Sequence, residues 1–135
     1  VDIQKMSEQA KKIFDGLVKH SDSMFKEAKK NVDKLSLMDQ MQILEGLYND
    51  LLSDEKYVNV KFKFLVNWGV LNEQLQITTL SYFEDIQGDK LTVSLMPFVE
   101  FFYTECKDKS RCKEIMRRWA EENSKIANQV DKILE

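Results

Sequence analysis

The sequence predicts an all-α fold: a compact bundle of five or six mostly antiparallel helices around one buried central helix, with one disulfide. Three observations carry that expectation. Apolar residues recur at spacings of three and four along most of the chain, which is the spacing of one helix face. Four glycines and one proline in 135 residues are too few for a turn-rich β fold. The stretch from Leu91 to Tyr103 is nearly continuously apolar, and a helix that is apolar all round belongs at the centre of its bundle. A chain of this length reads as a single helical domain, residues 1–135, able to bury roughly two-thirds of the surface its unfolded form exposes.

Each element follows from local pattern. From Asp2 to about Leu35 a stripe of Ile3, Met6, Ala10, Ile13, Leu17, Met24 and Ala28, widened by Phe14, Val18, Phe25 and Val32, predicts one long amphipathic helix. Gly16 and the polar run His20-Ser21-Asp22-Ser23 mark its weakest point, where a break or kink would fall. Ser36 with Asp39 three residues on forms an acidic capping box and starts a helix at Leu37, continued by Met41, Leu44, Tyr48 and Leu51. Ser53-Asp54-Glu55 is a second cap signal. Val58, Val60, Phe62 and Phe64 alternate with Asn59, Lys61 and Lys63 as in a strand. Helix is the preferred reading, because a lone strand would have no partner and the face continues through Leu65, Trp68 and Leu71. Glu73 to Ile86 is the next helix, closed by Gly88-Asp89. Pro97 suits the first turn of the apolar helix. Ile115, Trp119, Ile126, Val130 and Ile133 mark a single last helix.

Composition excludes several function classes. A net charge of −3 and a pI of about 5.3 argue against a general nucleic-acid binder, which needs a basic face for phosphates. No apolar run approaches the roughly 20 residues that span a bilayer, so no membrane insertion is expected. The chain begins at Val1, as a mature form does after loss of a signal peptide and as a trimmed chain would equally; with the cysteine usage, this makes a secreted, extracellular protein the expectation.

Catalytic and metal chemistry find little to use. His20 is the one histidine and lies in a polar patch that reads as solvated helix surface, so Ser-His and Cys-His nucleophilic catalysis have no convincing base. Neither His20 nor the cysteines have zinc-ligand spacing. Glu84-Asp85 reads as a solvated helix end. The glycines stand alone at 16, 46, 69 and 88, so no phosphate loop exists. No catalytic residue, cofactor or metal is expected. A binding or inhibitory protein is the leading class and an enzyme the last. Between them stands a carrier in which eight Phe, four Tyr, two Trp and six Met line a cavity for a lipid or an amphipathic amine, although core packing accounts for these residues equally well.

The organising stretch is Met96 to Trp119. An apolar helix runs in, a charged turn from Lys107 to Arg111 follows, and an amphipathic helix runs out, with Cys106 and Cys112 at the two lips of the turn. Two cysteines flanking a short polar loop, with no second pair, predict a disulfide that fixes the angle between the helices. Lys107, Lys109, Arg111, Lys113, Arg117 and Arg118 against Asp108 and Glu114 leave +4 across twelve residues of an otherwise acidic chain. That run is either a solvated helix end or a pre-organised cationic knob for an acidic protein surface.

An acidic helical chain of 15.9 kDa, with Cys106-Lys-Asp-Lys-Ser-Arg-Cys112 leading into Lys113-Glu-Ile-Met-Arg-Arg-Trp119, resembles the small salivary proteins of anopheline mosquitoes, the anophensin and albicin family. The resemblance covers the whole chain through size, helicity and sparse cysteines. It implies a salivary protein injected during blood feeding that binds a host plasma protein and blocks a defence cascade. The cascade would be the alternative complement pathway at its C3 convertase, or the contact (kallikrein-kinin) system. It transfers no functional residue.

Overall fold

The periodic stripes become eight α-helices in the computed structural model, which describes residues 6–135 and places no strand among them. They are α1 (Glu8–Leu17), α2 (Asp22–Lys30), α3 (Leu37–Ser53), α4 (Val58–Gly69), α5 (Glu73–Asp85), α6 (Met96–Glu105), α7 (Lys109–Glu122) and α8 (Ala127–Leu134). The chain divides into an N-terminal unit ending at Trp68 and a C-terminal unit from Gly69 to Glu135.

Two predicted helices are each broken in two, which takes the number past the expected five or six. The first breaks at His20, whose φ of 59° is left-handed. Its N–H still reaches Leu17 O at 3.1 Å, so α1 closes in a turn and α2 restarts beyond Ser21. The predicted start at Asp2, with Ile3, lies outside the described residues. The last helix breaks after Glu122 because Asn123 has other partners: its Nδ2 donates to Gly88 O and Leu91 O, both at 3.0 Å, and its Oδ1 accepts from Lys125 N.

In the N-terminal unit, caps set the starts. Ser7 Oγ accepts the Ala10 N–H of α1 and donates to Asp39 Oδ2 at 3.0 Å, joining the first turns of α1 and α3. Ser36 accepts the Asp39 N–H, as the capping-box spacing predicts. Gly46 lets α1 approach α3, since a Cβ there would lie 2.6 Å from the Phe14 ring. Gln40 ties the unit's interior, donating to Val32 O and Leu35 O while its own carbonyl accepts the Trp68 indole N–H at 3.0 Å. Phe25 packs on Phe64 and, edge-on, on Trp68.

The ambiguous alternating segment is helix α4, and it is the helix buried almost all round: Phe62, Phe64, Leu65, Val66 and Trp68 are all in the core. Lys61 joins them at 3% exposure because its stem lies in the core while Nζ reaches Asp54 Oδ1 at 2.9 Å. Ser53-Asp54-Glu55 do not cap α4. Ser53 ends α3, and Asp54 accepts the Lys56 N–H within the connecting turn.

In the C-terminal unit, α6 is not the buried central helix that its composition suggests. Met96, Val99 and Phe102 face the core, but Phe98 is half-buried and Val93 and Phe101 are 46% and 37% exposed. Apolar content fixes how much of a helix can be buried; only its neighbours fix how much is. Phe83 of α5 anchors this core, edge-on to Phe102 at 4.9 Å and tilted to Trp119 at 5.3 Å.

The turn after α5 then lies against α7. Arg118 donates to the carbonyls of Phe83, Glu84 and Ile86, and the Trp119 indole donates to Ile86 O at 3.0 Å. Gly88 follows so closely that a Cβ would stand 2.7 Å from Trp119 O and 2.9 Å from its Cα. These are backbone atoms and cannot move aside cheaply. Gly88→Ala is therefore expected to destabilise the protein by about 1–3 kcal/mol, read as a fall of several degrees in thermal unfolding; an unchanged melting temperature would contradict this packing.

Candidate functional site

The charged turn is shorter than the sequence suggests, and this decides the cysteines. Only Cys106, Lys107 and Asp108 separate α6 from α7. Asp108 caps α7 by accepting the Arg111 N–H at 3.1 Å, so Lys109, Ser110 and Arg111 are already helical. Cys112 thus sits on the core face of α7, its Sγ 3.9 Å from Met116 Sδ one turn on. Cys106 ends α6 with its thiol directed at Asp108 O. Both are free, buried thiols that are not near each other, and the expected disulfide is not present. The sequence argument required the chain to turn across Lys107 to Arg111, and an early helix start removes that turn.

Burial keeps these thiols protonated. It pushes Cys112 up to about 12 and raises Cys106, against the opposing pull of the hydrogen bond at Asp108.

The six basic residues have different uses. Arg111 grips Glu84 through two nitrogens, at 2.6 and 3.3 Å, and also donates to Ser81. Arg118 serves the α5 carbonyls; its Nε is buried without a partner because Glu122 Oε1, 3.9 Å away, accepts the Gly88 N–H instead. Lys109 Nζ donates to Tyr103 O and Thr104 O at the end of α6 and lies over the Tyr103 ring. Lys107 donates its backbone N–H to the buried Gln76, and its ammonium stands 3.7 Å from Glu73. Lys113 and Arg117 have no ion-pair partner among the described residues. The cations thus do not form one knob: three are fastened to neighbouring helix ends, and Lys113 and Arg117 face outward along α7.

His20 differs from its expected solvated setting. Its Nε2 donates to Asp50 Oδ2 at 3.0 Å with both side chains mostly covered, and its ring lies 5.2 Å from that of Tyr57. Sequence reasoning flagged the break at His20 but had no signal for a partner thirty residues away. Among the described residues no cluster of three or more His, Cys, Asp or Glu could hold a metal ion. No described helix is long and apolar enough to cross a membrane. Two surface hollows on α1 and α2, of about 450 and 270 Å³, meet at Gly16 and Met24 and are lined by no aromatic residue, so neither is the aromatic-lined cavity that a carrier would need. No family model, curated protein or solved structure matches the chain.

Two outcomes follow. A thiol reagent at pH 8 is expected to leave the native protein unlabelled and to modify two cysteines per chain after unfolding; rapid native labelling would contradict the burial of Cys106 and Cys112. The hydrogen bonds from Arg111 hold the Glu84 carboxyl below its usual 4.5. A depressed carboxylate pKa gives stability that is complete above the unfolded value and fades as pH falls through the folded one. Glu84→Gln should thus lower the melting temperature slightly at pH 7, an exposed pair contributing at most about 1 kcal/mol. The difference from the parent should shrink as pH falls below the usual carboxyl range, and an offset that stays constant as pH is lowered would refute the pairing.

Proposed function

We propose that this is a secreted salivary protein that binds a host plasma protein and thereby inhibits the alternative complement pathway at its C3 convertase, with the contact system as the other cascade in view. It acts by occupying a surface and performs no chemistry. Support comes from the resemblance of the Cys106 to Trp119 run to the anopheline salivary family, and from the residues that offered chemistry: His20 is paired with Asp50 and Glu84 with Arg111. The observation that carries the reading is the outer face of α7. Lys113 and Arg117 stand one turn apart with no ion-pair partner among the described residues. Cations left without a partner in the described chain are suited to an acidic partner surface.

The variants follow from the geometry. Reversing Lys109 or Arg111 would break contacts to α6 and Glu84, so Lys113→Glu with Arg117→Glu is the clean probe. The parent is expected to suppress alternative-pathway lysis of rabbit erythrocytes in serum, or failing that kallikrein generation in plasma. The double variant should be weaker by roughly tenfold, with a circular dichroism spectrum like the parent's. Inhibition should weaken as salt rises, because exposed charges are screened over about 8 Å at physiological ionic strength. A parent inactive in both assays would sink the reading, while an equally active double variant would keep the function and remove α7 from the interface.

A further inference from the structure

We draw no further inference here: the strongest candidate, the exposed surface patch of Tyr57 and Leu52 at the corner between α3 and α4, carries nothing, because it also bears the exposed charges of Glu55 and Lys56 and nothing in the structure shows what covers it.

Discussion

A buried indole N–H must find an acceptor, and in the C-terminal unit that requirement fixes how α5 ends. Trp119 is fully buried and has one donor, which goes to Ile86 O just past the last turn of α5. Arg118 beside it takes the carbonyls of Phe83, Glu84 and Ile86, so two of the unpaired acceptors that the end of α5 leaves, and the one just past it, are closed by two consecutive residues of α7. Gly88 can then lie on the α7 backbone, Glu122 can accept its N–H, and Asn123 can leave the helix to bind Gly88 and Leu91. Leaving such a donor or its acceptors unpaired in the interior costs about 1–3 kcal/mol each. The N-terminal unit repeats the device with Trp68, whose indole donates to Gln40 O while the Gln40 amide closes Val32 O and Leu35 O.

The same network explains what happened to the charge. Positive residues spread over one short stretch look like a single surface feature in sequence, but a helix distributes them around its axis. Arg111 and Arg118 reach α5, Lys109 reaches the end of α6, and Lys113 and Arg117 remain outside. A guanidinium near carbonyls and a carboxylate is best used there, so most of the apparent knob serves the fold. The function proposed depends on the remainder, which makes Lys113 and Arg117 more informative than any substitution in the turn.

Helix content was legible from periodicity, because burying one face imposes it. A start was legible where a short polar side chain caps its own helix, as Ser36 does at α3. Ends were harder. The breaks at His20 and Asn123 depend on partners far along the chain, Asp50 for one and Gly88 with Leu91 for the other, and composition carries no trace of such pairings. The cysteines failed for a related reason: a cap at Asp108 begins α7 before Cys112 and turns that thiol into the core. Burial of α4 rather than α6 was hidden because alternating lysines disguised the former.

The central claim is that α7 holds the end of α5 through Trp119 and Arg118. Native-state hydrogen exchange followed by NMR at the Trp119 indole N–H tests it most directly, because that proton is both buried and bonded in the arrangement described. The account predicts exchange only through global opening of the C-terminal unit, at the rate of its slowest backbone amides. An indole proton that exchanges as fast as the amides of the exposed Gln87 and Asp89 would contradict it.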